Sequence, residues 1–80
     1  MKLPRDLSGR ELTKALNCLG YVTSHQTGSH MRLTTQLNGE HHLTIPDHDS
    51  LRIGTLSAIL REVETHVGLP REEIVARLFG

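Results

Sequence analysis

Gly28-Ser29-His30 is where this 80-residue chain sets residue types that do chemistry side by side. Histidine is the side chain whose neutral and charged forms coexist near neutral pH, so His30 can serve as a general acid or base. A serine next to it can orient an imidazole or bind an anion, and a glycine before both lets the backbone turn tightly. Taken singly, these three are also what an ordinary surface turn contains. Other constellations are weaker. His41, His42 and His48, with Asp47 and Asp49, have the composition of a metal cluster. Adjacent residues on a strand point to opposite faces, however, so His41 and His42 cannot share an ion without distortion. No metal site and no cofactor are expected. No Ser/His/Asp or Cys/His arrangement is evident, and no phosphate-binding glycine loop. Cys18 falls beside the apolar stripe of a helix, as a small packing residue.

The elements that must position His30 are legible on both sides of it. Ser8-Gly9-Arg10-Glu11 is a capping box, with Leu7 and Leu12 as its hydrophobic staple. Leu12, Ala15, Leu16 and Leu19 recur at helical spacing and Gly20 suits a C-terminal cap, so a helix is predicted over 9–19. Tyr, Val and Thr favour a strand over 21–26. Residues 30–37 alternate: Met31, Leu33, Thr35 and Leu37 share one face, and His30, Arg32, Thr34 and Gln36 the other. His30 therefore belongs to a polar face, not to the core.

Asn38-Gly39 marks a hairpin into a strand over 40–45, stopped by Pro46. A two-residue loop would oppose the apolar faces. A three-residue loop, 38–40, pairs Leu37 with His41, Thr35 with Leu43 and Leu33 with Ile45, and is the expected register. Leu51 and Ile53 look inward. Thr55 is the expected N-cap of a second helix, with Leu56, Ile59, Leu60 and Val63 as its buried face and Gly68 as its end. Pro70 and the acids after it open a short third helix that buries Ile74, Val75 and Leu78. The expected fold class is α+β, in the order α-β-β-β-α. It has a three-stranded antiparallel sheet, helices on one face and a short extra C-terminal helix.

Length allows one domain, 1–80, with a modest core. One cysteine excludes an intramolecular disulfide and a multi-thiolate zinc site, and suits a reducing compartment. No run approaches the ~20 apolar residues that span a bilayer. Met1-Lys2-Leu3-Pro4-Arg5 lacks an apolar signal region, so a cytoplasmic protein without membrane contact is expected. Net charge is zero, but residues 1–35 carry +3 and residues 36–80 carry −3. The first half is the part suited to phosphates. One Phe and one Tyr leave base stacking no leading role.

Several of these features coincide with one family. They are Leu7-Ser8-Gly9-Arg10-Glu11, Leu19-Gly20-Tyr21, Gly28-Ser29-His30, Leu43-Thr44-Ile45-Pro46 with His48, and Gly54-Thr55-Leu56 followed by Ile59-Leu60. Over about residues 3–67 the chain resembles the HicA, or YcfA-like, toxins of bacterial toxin–antitoxin modules. The resemblance implies a double-stranded-RNA-binding-domain-like fold. It implies an mRNA interferase that cuts single-stranded mRNA without a metal, with the histidine of Gly-Ser-His, here His30, as the catalytic group. It also implies a HicB-like antitoxin as partner. The RNA-contacting residues expected on this basis are Gly28, Ser29, His25, Arg32, Lys14 and Arg10. Where many members carry basic residues before Gly-Ser-His, this chain reads His25-Gln26-Thr27. From the residues alone, a non-catalytic double-stranded-RNA-binding domain and a protein-interaction domain stay open beside the ribonuclease.

Overall fold

In the computed structural model, which describes residues 3–80, the chain runs α-β-β-β-α-α. Met1 and Lys2 of the lead-in lie outside the described residues. The first helix, α1 (Gly9–Leu16), starts at the predicted capping box. The Glu11 amide donates to Ser8 Oγ at 3.0 Å, and the Ser8 amide donates to Glu11 Oε1 at 2.9 Å. Those bonds hold the Glu11 carboxyl below its usual range. The helix is α only to Leu16, not to Leu19 as expected. It tightens into a 3-10 turn over Asn17–Leu19 before Gly20, whose φ is +81°. The reason is a partner across the core: the buried Thr35 hydroxyl donates to the Leu19 carbonyl at 3.0 Å and so draws the last turn towards the sheet.

Three antiparallel strands follow: β1 (Val22–Thr27), β2 (His30–Thr35) and β3 (His41–Pro46), side by side in that order. Their alternation is the predicted one. Met31, Leu33, Thr35, Leu43 and Ile45 are buried, while His30, Arg32, His42 and Thr44 face solvent. Leu12, Leu16, Leu56, Ile59, Leu60, Val63 and Ile74 of the helices pack with the buried residues in one apolar cluster. This is the arrangement of the double-stranded-RNA-binding-domain-like fold.

The β2–β3 connection differs from the expected three-residue loop. Thr35 pairs with His41, Leu33 with Leu43 and Met31 with Ile45, leaving residues 36–40 as a five-residue loop. The slip is by two residues, so every side chain keeps its face. Two local features and one distant residue set the length. Asn38 and Gly39 both have positive φ, at 59° and 96°, and the Leu37 amide turns back onto Thr35 Oγ1 at 3.1 Å. From the far end of the chain, His66 Nε2 donates to the carbonyls of Leu37 and Gly39 at 2.9 and 3.0 Å. Leu37 thus leaves the sheet and is 49% exposed.

The second helix, α2 (Ile53–Val67), begins before Thr55, with Arg52 at the cap position and no capping side chain. Ile53 is 63% exposed, against expectation. Leu51 alone takes the inward place, because its amide is tied to the Leu7 carbonyl at 2.7 Å. The third helix, α3 (Arg71–Phe79), buries Ile74 and Val75, with Leu78 partly buried. Arg71 clamps it to α2 through Glu64 at 2.7 Å and through the Ser57 hydroxyl and carbonyl at 2.9 and 3.0 Å. Cys18 is exposed rather than packed, with its thiol 3.5 Å from the Arg77 carbonyl. Among the described residues, no helix is long and apolar enough to cross a membrane.

One contact joins α1 to the sheet without room for a side chain. The Gly9 amide donates to the His48 carbonyl at 3.0 Å, and a Cβ on Gly9 would collide with the Pro46 carbonyl oxygen. Gly28 contrasts with it: nothing lies near its absent Cβ, but its φ is +52°. Gly9→Ala is expected to cost about 3 kcal/mol or more by overpacking. Gly28→Ala is expected to cost only the ~1–2 kcal/mol of a left-handed residue. Urea unfolding of both variants checks the order, and a costlier Gly28 substitution would contradict it.

Candidate active site

His30 is the first residue of the central strand, and both neighbouring strands hold it in place. Thr27 pairs with it from β1 and Pro46 from β3. Thr27 and His30 enclose a two-residue turn, Gly28-Ser29. The positive φ at the first turn position is what a type II′ hairpin turn requires, and it explains the glycine. The turn is then pinned from outside: the Asp47 amide donates to the Ser29 carbonyl at 2.6 Å. Ser29 Oγ lies 3.5 Å from His30 Nδ1, at the outer limit of a hydrogen bond. The imidazole itself is exposed on the open face of the sheet.

That face also receives His25 and Arg32, which sit directly opposite one another on β1 and β2. They meet there because β1 is bulged. Val22 pairs with Thr34 and Thr23 with Leu33, but the next pair is His25 with Arg32, which leaves Ser24 as an extra residue. The Ser24 hydroxyl fastens the bulge to the Arg32 carbonyl at 3.2 Å and to Thr34 Oγ1 at 2.8 Å. Sequence reasoning missed the bulge, because β1 is exposed along its whole length and has no apolar alternation to set a register.

Two further predicted contact residues lie on α1 and part company. Arg10 reaches the His30 end of the sheet, where it grips Asp47 with both prongs, at 3.1 and 3.3 Å. That carboxylate raises the Arg10 pKa. The Arg10 side chain is largely exposed, so the pair adds little stability, but it occupies the guanidinium. Lys14 instead lines a groove between α1 and α3 with Leu7, Glu11, Leu78 and Phe79. Since α1 packs on the buried face of the sheet, Lys14 is not brought to His30.

A family model described as the HicA toxin of bacterial toxin–antitoxin systems matches residues 9–64, more than half of the chain. The chain belongs to the HicA toxin family. Searches of curated proteins and of solved structures each find no match. As a HicA toxin, the protein is the toxin of a toxin–antitoxin module and has an antitoxin as its partner. The matched span covers α1, the sheet and most of α2, and so all of Gly28-Ser29-His30, His25 and Arg32. It stops before His66 and α3.

The other histidines of this HicA toxin are divided as the sequence predicted, with His41 and His42 on opposite faces. His42 sits on the open face, bonded to Thr34 Oγ1 at 2.8 Å and to Glu40 at 3.0 Å. His41 turns inward, stacks on His66 at 4.4 Å between ring centres, and bonds the hydroxyl of buried Tyr21 at 2.7 Å. Burial pushes the Tyr21 hydroxyl up to about 12. Burial and the neighbouring His66 lower the His41 pKa, and His42 adds to this, while Glu62 opposes it. A concavity of about 520 Å³ opens beside the stack, lined by His41, Arg61, Glu62, Thr65 and His66.

The signs of these shifts give a pH profile of stability. His41 is neutral in the fold and its pKa is depressed, so its contribution is present above about 6.5 and lost as pH falls through the folded value. Tyr21 is raised, so its contribution is present below about 10 and lost as pH rises towards 12. Urea midpoints measured across pH should fall on both sides. His41→Asn should flatten the acid limb and Tyr21→Phe the alkaline limb; unchanged limbs would contradict these assignments.

Proposed function

We propose that this HicA toxin is a metal-independent endoribonuclease that cuts single-stranded mRNA in the cytoplasm and so stops translation. His30 is its general acid or base. The observation that carries this reading is the placement of His30: an exposed imidazole on the central strand, beside a turn held by Gly28 and by the Ser29–Asp47 bond. Attack of a ribose 2′-hydroxyl on the adjacent phosphate needs a proton moved at neutral pH, which is what an imidazole does best. Preorganised position matters here because proton transfer demands hydrogen-bond reach.

Arg32 lies two residues from His30 on the same face of β2, so its guanidinium meets the charge that develops on the phosphate. Gly28 leaves the turn backbone bare for the RNA strand to approach, and Ser29 offers a hydroxyl beside the imidazole. His25 completes the contact surface. Arg10 joins it only by sharing its guanidinium with Asp47, and Lys14 falls outside it. Selectivity for RNA follows from the nucleophile, which DNA lacks. The partner is a HicB-type antitoxin that covers this face.

The test is incubation of the protein with a single-stranded RNA, with and without chelator, read on a gel. The parent should cut equally in both. His30→Ala should lose at least about 100-fold in rate, the usual worth of general acid–base catalysis, with its thermal unfolding unchanged. A His30→Ala variant as fast as the parent would overturn the assignment. RNA bound but left intact by the parent would favour a binding domain, and cleavage lost in chelator would overturn metal independence.

A further inference from the structure

Cleavage by a 2′-hydroxyl moves two protons. One leaves O2′ as the O2′–P bond forms. One arrives at O5′ as the P–O5′ bond breaks. The products are a 2′,3′-cyclic phosphate and a 5′-hydroxyl, so atoms and charge balance without water, metal or any co-reactant. His30 supplies one of these transfers, which leaves the other without a group.

We propose that His25 is the second proton-transfer group, and that His25 and His30 flank the scissile phosphate with Arg32 beside both. The inference rests on the ribonuclease reading above and adds to it a second catalytic residue. Its basis is the bulge in β1. Had the register of Val22 with Thr34 and Thr23 with Leu33 continued, Ser24 would oppose Arg32 and His25 would oppose Met31, whose side chain is buried. His25 would then face the helix side. The extra residue resets the alternation, so that His25 opposes Arg32 on the open face and becomes the diagonal neighbour of His30. Diagonal neighbours on one sheet face stand about 7 Å apart, which leaves room for a phosphate between two imidazoles.

Re-aiming a side chain is a common use of a bulge near an active site, and here the bulge is locked by its own residue. The Ser24 hydroxyl holds both the Arg32 carbonyl and Thr34 Oγ1, at 3.2 and 2.8 Å. The charged and titratable groups around the pair are few. Arg32 is the nearest. His42, with Glu40 at 3.0 Å, lies further along β3. Arg10 and Asp47 lie at the His30 end, where the Asp47 amide bonds the Ser29 carbonyl, but the Asp47 carboxylate is held by Arg10. Among the described residues, neither carboxylate is bonded to His25 or His30. The transfers therefore fall to two imidazoles, one as base and the other as acid.

The experiment is the pH dependence of kcat and KM for the 80-residue protein and its His25→Gln variant on a single-stranded RNA oligonucleotide. The parent is expected to give a bell-shaped kcat profile. His25→Gln is expected to lose at least about 100-fold in kcat, to lose one limb of the bell, and to unfold at the parent's temperature. Two results would overturn the proposal: kcat within about three-fold of the parent with both limbs kept, or a loss confined to KM, which would make His25 a phosphate contact alone. A parent that leaves RNA intact would overturn the ribonuclease reading as well. A parent that cuts, beside an unchanged His25→Gln variant, would overturn only the role of His25.

Discussion

Gly9 lies so near the carbonyl of Pro46 that a Cβ would collide with it, and the geometry of the His30 end depends on that approach. Pro46 is the residue opposite His30 in the ladder. Gly9 also bonds the His48 carbonyl, so the start of α1 is seated on the end of β3. That seat places Arg10 against Asp47, and the Asp47 amide against the carbonyl of Ser29. A chain of backbone contacts thus runs from the capped helix start, through the end of β3, to the turn that presents His30. No long side chain intervenes, so little freedom accumulates along it. The same glycine is the first residue of α1, where the lack of a Cβ costs least in helix propensity.

What was legible in the sequence was what short separations and period-two alternation determine. The capping box spans three residues, and it forms. The alternation of Met31 and Leu33 against His30 and Arg32 put the imidazole on the open face, and it stands there. A two-residue error in the β2–β3 register left that face untouched, because the side-chain period is two. What escaped depends on residues far apart. His66 fixes the length of the 36–40 loop from 27 residues away. Thr35 tightens the end of α1 from across the core. The bulge at Ser24 had no apolar alternation in β1 to announce it, and it is the feature that sets His25 opposite Arg32 on the open face.

Charge on this toxin is arranged sparingly. The whole chain is neutral, and the arginine nearest the Gly28-Ser29 turn from α1 is already held by a carboxylate. On the open sheet face, Arg32 is joined by imidazoles at 25, 30 and 42 in place of fixed cations. Under the ribonuclease reading, such a face binds phosphate weakly for its size and depends on position more than on field strength. The helix side carries the stability: Arg71 clamps α3 to α2, and at the far end of the sheet Tyr21 bonds His41, which stacks on His66. The open-face histidines and the stacked pair His41 and His66 are thereby kept on opposite sides of one sheet.

The central claim is that RNA is broken by its own 2′-hydroxyl on the His30 face. It is tested most directly by an RNA oligonucleotide carrying a single 2′-deoxynucleotide immediately 5′ of the scissile phosphate. The account predicts that the unmodified strand is cut to a 2′,3′-cyclic phosphate and a 5′-hydroxyl, and that the modified strand survives at that position. Cutting of the modified strand at the parent rate, or products ending in a 5′-phosphate, would contradict it.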